Sequence, residues 1–188
     1  MQRCGWVSTD ALYLDYHDNE WGNAQTNSKA LFEMLCLEGQ QAGLSWITVL
    51  KKRENYRAAF YHFDPQAIAQ MTPADIDRLM QDSGLIRHRG KLNAIVTNAR
   101  AWLTMQENGE DFSAFVWSFV DHQPQIHHFA DLQAVPAQTP ASLSLSKALK
   151  KRGFAFVGST TCYAFMQACG LVNDHITSCF RHPDNQPR

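Results

Sequence analysis

The chain has 188 residues, 45% of them hydrophobic, with a formal net charge of −1 at pH 7. That length can bury a sizeable core and fits one domain of two lobes better than two independent domains, while the near-neutral charge excludes a global electrostatic footprint for nucleic acid. No apolar run approaches the roughly 20 residues of a membrane span, the N-terminal stretch is too polar for a signal peptide, and five cysteines, an odd number, point to a reduced, soluble, cytoplasmic protein.

Apolar positions recur at spacings of three and four, and no period-2 run is longer than a few residues, which predicts an all-α fold. Asn27 or Ser28 caps a helix reaching about Ala42; Gly43 interrupts it, and Ser45 restarts a second helix carrying Trp46, Val49 and Leu50. Asp64-Pro65 and Thr72-Pro73 each read as an N-cap followed by proline at the first helical position. They open two short helices, the second stopping at Gly84. The clearest amphipathic helix runs from about Arg89 to Glu107, because Leu92, Ile95, Val96, Ala99 and Leu103 keep one face. After a helix near 112–120, the stretch QPQIHHFADLQAVPAQTPAS has three prolines and no sustained period, and reads as a surface connection. SLSKALKKRGFAFVGSTTCYAFMQACG then reads as a helix ending at Gly153, a hairpin through Phe156, Val157 and Gly158, and a helix from about Ser159 to Cys169. The last residues, 181–188, read as a frayed tail.

Several residues do not fit a purely structural account. Glu38 falls on the apolar stripe of Leu31, Met34 and Leu35, where a core residue belongs. It is a buried acid awaiting a partner, either an arginine, a neighbouring helix end or a ligand. Trp6, Tyr13, Tyr16, Trp21 and Trp46 crowd the same quarter of the chain; they are core filling, or the walls of a pocket for a flat cationic ring. Cys4 with His17, and His175 with Cys179 in an H-x3-C spacing that suits one face of a helical turn, form a possible Cys2His2 zinc site. Spacing alone leaves open four unrelated residues. Basic residues gather in KKRENYR (51–57), RHRGK (87–91) and KALKKRG (147–153), as solvated helix faces or as a local basic face. Near the last of them, Gly158 would let a phosphate approach the N–H groups that open the following helix, with Lys150, Lys151 and Arg152 adding charge.

RCGWV, YHDNEWG, LFEMLCLEGQQAGLSWITVLKKRENYR, GLIRHRGK, FVWSFV and FMQACGLVNDH together resemble the bacterial 3-methyladenine DNA glycosylase I family, from near residue 3 to near residue 179. The resemblance implies a helix-hairpin-helix glycosylase bundle with one structural zinc clasp joining the N- and C-terminal regions through Cys4, His17, His175 and Cys179. It implies a base pocket of Glu38, Tyr16 and Trp46 with Trp6, Tyr13 and Trp21 nearby, and a DNA-probing wedge in the loop of Gln41, Ala42, Gly43 and Leu44. Helix-hairpin-helix glycosylases usually carry an aspartate shortly after the second hairpin helix. Here Asp174 adjoins His175, so no catalytic role is expected of it, and no lysine stands at the nucleophile position.

The activity so implied is monofunctional repair: the enzyme extrudes a methylated nucleotide from double-stranded alkylated DNA, cuts the N-glycosidic bond by hydrolysis and releases free 3-methyladenine. Stacking on Trp46 and Tyr16 tolerates any purine, so discrimination is expected to fall to the Glu38 carboxylate. A zinc-stabilised DNA-binding module without catalysis is the alternative. A protein of this size is expected to act as a monomer.

Overall fold

The computed structural model describes residues 1–187. Its first helix, α1 (Ala11–Asn19), is one the apolar spacing did not announce. Asp10 caps it by accepting from the Leu12 N–H at 3.0 Å. Its inward residues are Tyr16 and His17, so its buried face serves a site rather than a core and carries no aliphatic stripe.

The central element is α2 (Ser28–Gln40), capped by Asn27, with eight buried residues that include Leu31, Phe32, Leu35 and Leu37. It is packed by α3 (Trp46–Ala59), α6 (Arg89–Glu107), α7 (Phe112–Trp117) and α9 (Ser159–Ala168). The two Pro-initiated helices are α4 (Pro65–Ala69) and α5 (Pro73–Leu79), the second closed by a Thr72/Asp75 capping box. α5 ends at Leu79, short of Gly84; Asp82 instead turns the chain by accepting from the Gly84 N–H at 2.7 Å. α8 (Pro140–Lys151) has a capping box of its own between Thr139 and Ser142.

The expected all-α architecture holds, with one small addition. Gln125–Ile126 (β1) and Val172–Asn173 (β2) pair in parallel, Ile126 opposite Asn173. Two residues per strand leave no periodicity to read. The chain end is held as well: Asn185 Nδ2 donates to the Thr177 and Cys179 carbonyls at 2.8 Å each, and His182 is buried. No helix among the described residues is long and apolar enough to cross a membrane.

Candidate active site

Cys4 from the N-terminal segment, His17 from the end of α1, and His175 and Cys179 from the segment after β2 meet in one buried cluster. Cys4 Sγ lies 3.5 Å from His175 Nδ1, and Cys179 Sγ lies 3.5 Å from both His17 Nε2 and His175 Nδ1. A tetrahedral ion with Zn–S of about 2.3 Å and Zn–N of about 2.0–2.1 Å requires sulfur–nitrogen edges of about 3.5 Å. The spacing therefore fits zinc. The opposite ring nitrogens are engaged as metal-bound imidazoles require: His17 Nδ1 meets Asp18 Oδ1 at 2.8 Å, and His175 Nε2 meets the Trp21 carbonyl at 3.0 Å. Arg3 holds Asp18 in turn at 2.7 Å, and keeps its carboxyl down at about 2. The His175-to-Cys179 segment differs from the expected helical turn. It is a non-helical bend with Cys179 N–H bonded to the Ile176 carbonyl at 2.8 Å, which leaves the Arg181 N–H to point at the Cys179 sulfur at 3.4 Å.

Beside this cluster opens a cavity of about 330 Å³ lined by Trp6, Tyr13, Tyr16, Trp21, Glu38 and Trp46. The tryptophans and tyrosines of the N-terminal quarter are thus brought to one wall. Their rings interlock: Trp6 lies 5.1 Å from Tyr13 and 5.0 Å from Trp21, and Tyr16 lies 5.6 Å from Trp46. Glu38 is 5% exposed, and its carboxylate has no hydrogen-bond or ion-pair partner among the described residues. Neither an arginine nor a helix end answers it. Burial alone pushes its carboxyl up to about 8. Burial first, and the Glu38 charge second, raise the Tyr13 and Tyr16 hydroxyls, so both remain protonated beside the acid.

The facing wall was not legible. Thr160, Ala164 and Gln167 line it from α9, at a spacing of four and three that marks a single helix face; that polar, small-residue stripe was the available signal. Leu132 and Val135 come from the proline-containing connection, whose composition marks it as surface. Asp174 also lines the cavity, with its carboxylate committed to His127 Nδ1 at 2.6 Å, to Gln167 Nε2 at 2.9 Å and to the Tyr163 hydroxyl. The β1–β2 pairing places His127 and Asp174 side by side, one residue beyond each strand.

At the cavity mouth, Gln41 begins the turn between α2 and α3. The Leu44 N–H donates to the Gln41 carbonyl at 2.7 Å, the Gln41 side chain donates back to the Leu44 carbonyl, and Gly43 takes φ +77°. Nothing lies within 4 Å of the Gly43 Cβ direction, and Leu44 is 37% exposed, so the tip stands clear of the protein. The α8–α9 hairpin packs against the same helix end. A Cβ on Gly39 would meet the Phe156 carbonyl at 3.2 Å, so a larger residue there would have to push the hairpin back by a few tenths of an ångström. Gly158 opens α9 with no side-chain cap and with clear space before it.

The three basic runs divide. In 51–57, Lys51, Arg53 and Arg57 are spent on Asp10, Glu20 and Glu33. Arg152 is held by Glu110 at 2.7 Å and lies over the Phe115 ring, while Arg89 pairs with Asp77. Lys150 and Lys151, beside the hairpin, stay exposed.

A helical bundle that sets an aromatic cavity around one unpartnered acid, between a bare turn and a glycine hairpin, defines a protein whose site suits a flat ring. The methyladenine glycosylase family model matches residues 6–182. The chain is 66% identical to DNA-3-methyladenine glycosylase 1 of Escherichia coli (strain K12) over 187 residues, 100% of each. It superposes on a crystal structure of 3-methyladenine DNA glycosylase I with a TM-score of 0.96 at 69% identity, covering 97% of this chain and 100% of that one. A variant of 3-methyladenine DNA glycosylase I crystallised with 3-methyladenine gives a TM-score of 0.92 at 41% identity over 100% of both chains. The chain belongs to the methyladenine glycosylase family.

Proposed function

We propose that this protein is a monofunctional DNA glycosylase that flips 3-methyladenine out of alkylated double-stranded DNA and hydrolyses its N-glycosidic bond. The observation that carries the reading is Glu38, an acid buried without a protein partner in an aromatic-walled cavity. Methylation at N3 gives the base a positive charge, and an aromatic box whose acid gives up its proton as the cation enters recognises that charge, while a neutral adenine offers too little to offset its own desolvation. The relative crystallised with 3-methyladenine supports the choice of base. In the reaction the glycosidic electron pair leaves with the cationic base, which departs neutral. The sugar carbon is left cationic, water adds to it, and the water's proton is lost to solvent. A leaving group already charged needs no strong general acid. Glu38 thus acts in capture and selection, and Tyr16 and Trp46 stack on the extruded ring.

The exposed turn at Gln41, Gly43 and Leu44 fills the gap in the duplex, and Gly158 with Lys151 holds the phosphate backbone. No lysine lines the cavity among the described residues, which accords with hydrolysis and not with imine-forming lyase chemistry. Cys4, His17, His175 and Cys179 would hold one structural zinc; four protein ligands leave no position for a catalytic water. A non-catalytic DNA-binding module would gain nothing from the buried acid. Incubating the protein with alkylated duplex and measuring free base by chromatography tests the proposal. Release of 3-methyladenine with an intact abasic strand is expected, and strand scission or absence of free base would reject it.

A further inference from the structure

Lys91 is a cation that the site so far leaves unused. It is 5% exposed, and among the described residues no carboxylate lies in ion-pair range of it. Its ammonium donates instead to the backbone carbonyls of Gln40 at 2.9 Å and Ala42 at 2.6 Å. The first is an unpaired acceptor at the C-terminal end of α2, where a cation is favoured, and the second belongs to the turn that follows. The contact is returned: Gln40 Nε2 donates to the Lys91 carbonyl at 2.9 Å. Behind it the Tyr56 hydroxyl donates to Gln40 Oε1 at 3.0 Å and accepts from the Ile86 N–H at 3.2 Å.

Helix ends are ordinarily satisfied by a glycine or by water, and burying an ammonium is a costly way to do it. The cost is incurred directly beneath the 41–44 turn, which is tied within itself, bare on its outer side, and three residues past Glu38 at its start. The brace also reaches the hairpin, since Phe156 packs over Gly39 on α2 and approaches Gly90, the neighbour of Lys91.

We propose that Lys91 is a positioning residue for lesion search: by holding the Gln40 and Ala42 carbonyls it fixes the height and angle at which Leu44 enters the base stack, in register with the hairpin. The inference rests on the reading of residues 41–44 as the DNA-probing turn. Lys91 is 5% exposed and directs two of its three ammonium donors at the backbone, so its part is to hold the turn rather than to touch base or phosphate.

The test compares wild type, Lys91→Met, Leu44→Ala and the double variant in single-turnover excision from alkylated duplex. Free 3-methyladenine affinity and the salt dependence of binding to undamaged duplex are measured alongside. Lys91→Met is expected to slow excision by about tenfold or more, with free-base affinity and the salt slope unchanged and the double variant no slower than the slower single one. A salt slope reduced by about one counterion would mean that Lys91 meets a phosphate. Strictly additive losses would mean that it acts elsewhere, and a parallel loss of base affinity that it shapes the pocket; each result overturns the inference. Full activity in Leu44→Ala overturns the role of the turn and this inference with it. A wild-type protein that releases no base would reject the activity itself, before any variant is compared. Should Lys91→Met not fold, Tyr56→Phe loosens the same brace without touching a buried charge. A smaller slowing at unchanged base affinity supports the inference, and an unchanged rate in that folded variant overturns it.

Discussion

The Trp21 ring stands edge-on to the His175 ring, 4.7 Å away at 89°, while the Trp21 carbonyl accepts from the Nε2 of the same histidine. One residue therefore serves both the cysteine–histidine cluster and the cavity wall, and Trp6, 5.2 Å from His17, does the same. Cluster and pocket are one aromatic layer apart.

One zinc per chain is expected on elemental analysis of purified protein. Stripping it at neutral pH should lower Tm, since the metal's binding energy is folding energy, and should also weaken 3-methyladenine affinity through Trp6 and Trp21. Cys179→Ser should do both. Stoichiometry near zero after growth in adequate zinc would remove the clasp, and a metal-free protein with full base affinity would sever the link between cluster and wall.

Glu38→Gln keeps the shape of the side chain but cannot ionise when the cationic base enters. Free 3-methyladenine is expected to bind about tenfold more weakly, in line with the larger worth of charge-assisted hydrogen bonds. Glu38→Ala should be worse, because it also removes the acceptor and leaves a void. Calorimetric titration of the free base measures both. Equal affinity in all three proteins would leave the acid without a recognition role.

The same residue sets a pH dependence of stability. Its folded pKa, about 8, lies above the unfolded value of about 4.3, so between them the native state holds a proton that the unfolded chain has released. Stability from this group is fully present below the unfolded value and is lost as pH rises through the folded one. Glu38→Gln should therefore match wild type near pH 4 and exceed its Tm by ~3 °C or more at alkaline pH. Parallel Tm curves across that range would show that the acid ionises freely in the empty cavity.

Lys151→Ala should weaken binding to every duplex sequence alike and lower the salt slope by about one counterion. Fluorescence anisotropy at several salt concentrations reads both. A loss confined to one sequence context would point to contact with a base edge.

Much of this was legible in the residues, for definable reasons. Asp64-Pro65, Thr72-Pro73 and the stripe of α6 are local signals and mark their helices to within a few residues. The Cys4, His17, His175 and Cys179 set could be proposed because soft ligands are few and chemically distinctive. What escaped was non-local or chemically bland. Leu132 and Val135 look like any loop residues, and only the folded path of residues 127–139 brings them over the cavity. Asp174 and His127 become neighbours through a two-residue strand pairing that no window detects. Arg152, counted among the free charges, is neutralised by Glu110 from a distant loop. Lys91 belongs by sequence to the basic run 87–91, and its burial depends on where α2 ends.

The cluster that closes the cavity wall joins Cys4 to His175 across 171 positions of sequence. During synthesis its first two ligands emerge early and must wait, unpaired, until almost the whole chain has left the ribosome. The wall that rests on it is therefore among the last parts to form, and a chain cut short before His175 would have the turn and the hairpin but an unsupported Trp21. In such a fragment Trp21 would have lost the His175 ring and side chain it rests on, so the far end of the chain decides the shape of a wall that the first quarter supplies.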